Sequence, residues 1–199
     1  MNRVTLLVWN VRGAGSSVFL NHMIEYIRLH KPSIIALLET HISGTRADEV
    51  CRKLGLQGCF RVEAQGFGGG IWILWDTATI QIQLIKSHPQ FVTMEVHRSG
   101  IQPWVFTAVY ASPTLHLREL LWREIEVLAT FITAPWLLAG DFNETKSLSE
   151  RDHGSDDMIR RCARFSNVIE NNGLIDMEFS GPSLPGRGVT PGQPGKVQG

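Results

Sequence analysis

Apolar residues along the chain fall into two rhythms. Val4–Val11 (VTLLVWNV) is a continuous apolar run that Gly13-Ala14-Gly15 brings to an end, which reads as a buried strand. Ser16 or Ser17 then caps a predicted helix to about His30, with Phe19, Met23, Ile24 and Ile27 on one face and Pro32 as its stop. Ile34–Leu38 (IIALL) is a second buried strand that runs directly into Glu39-Thr40-His41, and Thr45–Leu54 is a short helix closed by Gly55. A β-α-β-α opening of this kind predicts an α/β layer architecture.

The middle of the chain shortens its period. Phe60–Ala64, Ile71–Trp75, Ile80–Ser87, Phe91–His97 and Trp104–Tyr110 read as successive strands, and Ile80-Gln-Ile-Gln-Leu-Ile alternates as a half-buried strand should. Ser99-Gly100 stands where a hairpin turns, and the Gly66–Gly70 run reads as a hairpin loop with close backbone approach. That run lacks the Lys-Ser/Thr of a P-loop and precedes a strand, not a helix. Consecutive strands without helices between them pair antiparallel, so the sheets are expected to be mixed. The helical period returns in Leu115–Ile132, with Leu117, Leu120, Leu121, Ile125 and Leu128 on its apolar face. Trp136–Ala139 is a strand that delivers Gly140-Asp141-Phe142-Asn143, and a last helix runs from about Asp156 to Asn171, ended by Asn172-Gly173. No internal repeat is present. From Gly181 to Gly199 the pattern is lost: 10 of 19 residues are Gly or Pro. The expected organisation is one folded unit over residues 1–184 and a Gly/Pro-rich disordered tail over 185–199.

Composition narrows the classes. The 199 residues are 43% hydrophobic, enough for one core, and Lys+Arg and Asp+Glu are both 19, so the formal charge is zero. A binder that grips nucleic acid by charge alone carries a basic excess, which is missing here; an enzyme that meets phosphate through a bound cation does not need one. Three cysteines without CxxC spacing predict thiols in a reducing compartment, not a disulfide framework or a zinc site. Val4–Val11 is too short for a membrane span and does not have the form of a signal peptide. A soluble protein of the nucleus or cytoplasm, not secreted, with no membrane association and no obligate protein partner, is the expectation.

Polar residues at the ends of buried strands carry the candidate chemistry. Asn10 sits in the first strand, Glu39 follows IIALL, Tyr110 ends the strand before Ala111, and Asp141 with Asn143 follows WLLAG. Each has an ordinary explanation: a turn residue for Asn10, a cap or a partner of His41 for Glu39, an Asx turn for Asp141 and Asn143, a core aromatic for Tyr110. Together they suggest oxygen ligands converging where strand ends of α/β sheets bind ligands, a set that suits Mg²⁺ or Mn²⁺. Arg160, Arg161 and Arg164 form a helix face that reads as solvated, with contact to a DNA backbone as the alternative.

Four motifs in order, WNVRG (Trp9–Gly13), LLETH (Leu37–His41), AVYASP (Ala108–Pro113) and GDFNE (Gly140–Glu144), resemble the endonuclease/exonuclease/phosphatase superfamily, which includes the abasic-site endonucleases. The wording NVRG, LLET, GGGIWILW and GDFNE is most similar to endonuclease domains of plant-type non-long-terminal-repeat retrotransposons, and the likeness extends from about Thr5 to Leu184. The resemblance implies an α/β sandwich of two mixed β-sheets with flanking helices. It implies a Mg²⁺-dependent (Mn²⁺ possible) phosphodiester hydrolysis on DNA. By position, Glu39 and Asn10 would serve the metal. Asp141 would orient or deprotonate the attacking water, and Asn143 would support the water or the phosphate. Tyr110 would contact the scissile phosphate, and Asn10 and Arg12 would help bind it. Arg12 stands where abasic-site endonucleases usually have Asp, which favours the retroelement branch. The superfamily's closing Ser/Thr-Trp, Arg-x-Asp and Ser-Asp-His motifs have no counterpart after Pro182-Ser183-Leu184. Asp152-His153 mimics part of that ending but follows GDFN too closely, and His22, His30, His41, His88, His97 and His116 match none of its positions. The expectation is a fold incomplete at its C-terminus, with an exposed sheet edge and impaired catalysis. The alternatives are a non-catalytic retroelement remnant and a phosphatase-type member of the same superfamily.

Overall fold

The computed structural model describes residues 3–66, 68–144 and 156–177. Among the described residues, eight strands and four helices follow one another in the order the periodicity predicts: β1 (Leu6–Asn10), α1 (Ser17–His30), β2 (Ile34–Leu38), α2 (Gly44–Leu54), β3 (Gly58–Val62), β4 (Ile71–Trp75), β5 (Gln81–His88), β6 (Phe91–Arg98), β7 (Ile101–Tyr110), α3 (Leu115–Ala129), β8 (Trp136–Asp141) and α4 (Asp156–Asn171). The strands make two four-stranded sheets, ordered β1-β2-β4-β3 and β5-β6-β7-β8. Both are mixed: β1 runs parallel to β2 and β7 parallel to β8, and every other pairing is antiparallel.

Alternation within each strand sorts its side chains onto two faces. Leu6, Ile34, Ala36, Leu38, Ile71 and Ile73 of the first sheet meet Val92, Met94, Val96, Phe106 and Ala108 of the second, and this inter-sheet layer is the central core. The opposite face of the first sheet (Leu7, Ile35, Leu37, Trp72, Leu74) is covered by Phe19 and Met23 of α1 and by Ala47, Cys51 and Leu54 of α2. The outer face of the second sheet packs Phe91 and Val109 against Leu121, Trp122, Ile125 and Leu128 of α3 and Phe165 and Val168 of α4. The result is an α/β sandwich of helix, sheet, sheet and helix layers. Burial of β2 on both faces explains why IIALL has no alternation at all.

Local signals act as expected at several ends. The Ser16 hydroxyl caps α1 by accepting from the Phe19 N–H at 3.0 Å. Gly55 closes α2 at φ 81°. Gly70, at φ 92°, is packed so closely that an added Cβ would lie 2.3 Å from the Thr40 hydroxyl oxygen, which is the close approach foreseen for the glycine-rich loop.

Three expectations are corrected. Leu117 and Leu120 do not face the core; they are 38% and 46% exposed, and Arg118 is buried in their place. Leu121, Ile125 and Leu128 keep the expected face, and Arg118 is enclosed beside them to meet a buried carboxylate. Ile24 of α1 is likewise exposed, at 40%, while Phe19 and Met23 are buried and Leu20, Tyr26 and Ile27 pack partly against the same cluster. The alternation of Ile80 to Ile85 does not persist either: a register shift between Leu84 and Lys86 leaves both Leu84 and Ile85 exposed on an edge strand. The tail over 185–199, the Asp152-His153 segment and the expected incompleteness at the C-terminus lie outside the described residues.

Candidate functional site

The two parallel pairs bring four strand ends to one end of the sandwich. In the first sheet Asn10 is level with Leu38, the residue before Glu39; in the second, Tyr110 is level with Asp141. Side chains then cross between the sheets in both directions. The Asn10 amide donates to Asp141 Oδ2 at 2.8 Å, and the Tyr110 hydroxyl donates to Glu39 Oε1 at 2.6 Å. Each carboxylate is thus held by a neutral donor from the opposite sheet. Burial, then the bond to Glu39 and the charges of Glu39 and Asp141, push the Tyr110 phenol well above its usual range, so Tyr110 keeps its proton as a donor.

The loops that carry these groups are fixed from beneath. The Asn143 N–H donates to Asp141 Oδ1 at 2.9 Å, and the Asn143 side-chain amide donates to the Ala111 carbonyl at 2.7 Å. Gly140 precedes Asp141 at φ 152°, where an added Cβ would stand 1.9 Å from the Val109 carbonyl oxygen, so only glycine lets β8 lie this close to β7. On the other sheet, Gly13 N donates to the Glu39 carbonyl at 2.7 Å and His41 N to the Gly69 carbonyl at 3.1 Å. Arg12, Glu39, His41 and Asn143 all hold left-handed φ between 47° and 59°. Such conformations cost of order 1–3 kcal/mol each and persist where surrounding contacts impose them.

Among the residues that sequence reasoning singled out, Asn10, Glu39, Tyr110, Asp141 and Asn143 come together in this network. Arg12 lies beside it with its side chain exposed, and its N–H donates to Asn10 Oδ1 at 3.2 Å. The arginine face of α4 stands apart: Arg160 is exposed, and Arg164 pairs with Glu119 of α3 at 2.9 Å.

A buried ion pair was not foreseen. Arg118 of α3 reaches Glu144 through Nη2 at 2.6 Å and Nε at 2.9 Å, and donates from Nη1 to the Ser112 carbonyl at 2.7 Å. Both side chains are almost fully enclosed, at 2% and 5% exposure. Gln90 works beside them: its amide donates to the Leu117 carbonyl at 2.8 Å, and its Oε1 accepts the Ser112 N–H at 2.6 Å. The signal lay in the motif itself, since Glu144 closes GDFNE and Arg118 interrupts the apolar face of α3.

Chemically, this end of the molecule offers two carboxylates and several neutral oxygens. Glu39 engages Tyr110 through Oε1, and Oε2 takes no part in that bond. A Mg²⁺ ion is commonly held by one or two carboxylates, with water and substrate phosphate completing its shell, and the donor set fits that chemistry. Among the described residues no group of three or more His, Cys, Asp or Glu gathers in the manner of a caged metal centre.

Comparison with known proteins agrees with the architecture. The sequence matches the endonuclease/exonuclease/phosphatase family over residues 7–195. No curated protein sequence matches the chain. Among solved structures, the endonuclease domain of TRAS1, a telomere-specific non-LTR retrotransposon, superposes with a TM-score of 0.63 at 12% identity, covering 85% of this chain and 72% of that domain. The abasic-site (AP) endonuclease LMAP of Leishmania major also gives 0.63, at 14% identity, covering 85% of this chain and 66% of the enzyme. A mannosyl-6-phosphatase of Bacteroides thetaiotaomicron gives 0.53 at 14% identity over 74% of this chain and 68% of its own. At these identities the likeness is one of fold, and it spans both nucleases and phosphatases. With the sequence match running over nearly its whole length, the chain belongs to the endonuclease/exonuclease/phosphatase family.

Proposed function

We propose that this chain carries a divalent-cation-dependent phosphodiesterase site of the retrotransposon-endonuclease type, with DNA as its substrate. The observation that carries the reading is the reciprocal pair of cross-sheet bonds, which sets Glu39 and Asp141 at the same end of the sandwich. In this reading Glu39 and the Asn10 carbonyl oxygen serve Mg²⁺, or Mn²⁺ in its place. When bound, the ion supplies positive charge to a phosphate oxygen and to the charge that builds there during attack. Asp141, with Oδ2 held by Asn10 and Oδ1 by the Asn143 N–H, takes the proton of the attacking water. Tyr110 keeps its proton and donates a hydrogen bond toward the scissile phosphate, while Arg12 and the Asn143 amide steady the phosphate. The retroelement branch is preferred to the phosphatase branch on the wording NVRG, LLET, GGGIWILW and GDFNE.

The test is a Mn²⁺ titration followed by electron paramagnetic resonance, paired with plasmid nicking in Mg²⁺ and in Mn²⁺. Glu39→Ala is expected to weaken Mn²⁺ binding at least about tenfold, the loss of one ligand interaction of about 1.4 kcal/mol, and to abolish nicking. Mn²⁺ binding indifferent to both Glu39→Ala and Asp141→Asn would refute the site. Hydrolysis of a sugar phosphate faster than plasmid nicking would move the chain to the phosphatase branch.

A further inference from the structure

A second cluster of reactive groups lies away from the carboxylates, where the end of α2 meets the edge strand β3. A cavity of about 630 Å³ opens there, lined by Asp48, Cys51, Arg52, Gln57, Cys59 and Arg61 among others. Cys51 is buried at 6% exposure in the last turn of α2, and Cys59 is exposed on β3. Cys59 and Arg61 stand two apart on β3, so both face the same side of the strand, and Cys51 and Cys59 line the cavity together. Arg61 sits over them: Nη1 lies 4.0 Å from Cys51 Sγ, while Nη2 is fixed by Asp48 at 2.7 Å and Glu63 at 3.0 Å.

This arrangement divides labour between the sulfurs. The interaction with Cys51 brings the Cys59 thiol down to about 7; burial opposes this, and the Arg61 charge assists it. The same interaction, with burial second, pushes the Cys51 thiol up. The exposed sulfur is therefore the more acidic of the two, and the enclosed one holds its proton more firmly.

We propose that Cys51 and Cys59 form a peroxide-oxidisable dithiol, with Cys59 as the attacking sulfur and Cys51 as the resolving one. The Cys59 thiolate attacks one oxygen of hydrogen peroxide. The S–O bond forms, the O–O bond breaks, and the departing hydroxide takes a proton from solvent, leaving a sulfenic acid and one water. Cys51 sulfur then attacks Cys59 sulfur; the S–O bond breaks, and the Cys51 proton leaves with the hydroxide as a second water. Two sulfurs lose two electrons, and one peroxide becomes two waters. The product would tie the end of α2 to β3. That unit is already joined at its other end, where the Gly44 N–H donates to Glu63 Oε2 at 3.2 Å.

The proposal stands independently of the phosphodiesterase reading, and its test needs no activity. The reduced full chain is exposed to hydrogen peroxide at neutral pH, its remaining thiols are blocked with N-ethylmaleimide, and its peptides are mapped by mass. The expected product carries a Cys51–Cys59 disulfide, takes up one maleimide at Cys162, and returns to the start on reduction. Iodoacetamide should label Cys59 with a midpoint near pH 7, and Cys51→Ala should move that midpoint toward the ordinary thiol value of about 8.5. Dimedone should trap a sulfenic acid at Cys59 in Cys51→Ser, and Cys51 should stay reduced in Cys59→Ser. A sulfinic acid at Cys59 beside an alkylatable Cys51, a disulfide that includes Cys162, or an ordinary labelling midpoint for Cys59 would each overturn the proposal.

Discussion

The two sheets share one plan and support their acidic residues by different means. Each has a parallel pair at one edge, and each pair ends in one carboxylate and one neutral group: Glu39 and Asn10 in the first sheet, Asp141 and Tyr110 in the second. Beside Asp141 the backbone support of Gly140 and Asn143 is joined by an electrostatic one, the enclosed Arg118–Glu144 pair, with Arg118 and Gln90 both bonded to Ser112. Beneath Glu39 the support is backbone, with Gly13, Gly69 and Gly70 packed against the Glu39–His41 segment. A half-enclosed carboxylate can be positioned by either device. They differ in how they fail, because a buried charge that loses its partner costs more than a backbone contact that loosens.

The comparison breaks most readily at Arg118. Arg118→Met leaves the Glu144 carboxylate enclosed without its cation, and a loss of about 3–5 kcal/mol in denaturant unfolding is expected. Glu144→Gln added to it should recover a substantial part, since no unpaired charge then remains. If the single substitution costs no more than an exposed ion pair, the electrostatic half of the comparison is wrong. The backbone half is tested at Gly70. Gly70→Ala sets a methyl group against the Thr40 hydroxyl at a left-handed φ, and about 2 kcal/mol should be lost. Thr40→Ala, by removing the clashing oxygen, should return part of that loss; full independence of the two sites would refute the close approach. The smallest effect is expected where the sheets meet. Tyr110→Phe deletes one donor to a half-buried carboxylate and should cost about 1.5 kcal/mol, read as a lowered Tm with the fold intact by circular dichroism.

Much of the fold was legible because burial imposes rhythm. Ile34–Leu38 and Ile71–Trp75 were foreseen at their observed bounds. β3 begins at Gly58, ahead of the predicted Phe60, because Gly58 lies against the Trp75 ring, where an added Cβ would come within 2.1 Å of it. No periodicity records such a contact. The leucines of α3 mark its face correctly at Leu121, Ile125 and Leu128, but give no sign that Arg118 is enclosed beside them by Glu144. For the site, the sequence identified which residues stand at strand ends. It held no sign of which donor serves which acid, since that depends on how one sheet faces the other. Asn10 and Asp141, bonded across the sandwich, are 131 positions apart.

That separation has a consequence for synthesis. A chain emerging from the ribosome can complete β1, β2 and the antiparallel ladder of the first sheet while Asp141 is still unmade. Glu39 is then exposed without its tyrosine, and Asn10 without its acid. Contacts between residues so far apart along the chain form late, because a long loop must close before they reward it. The acid cluster is therefore among the last parts of the molecule to come into being, and every shorter nascent chain is free of it.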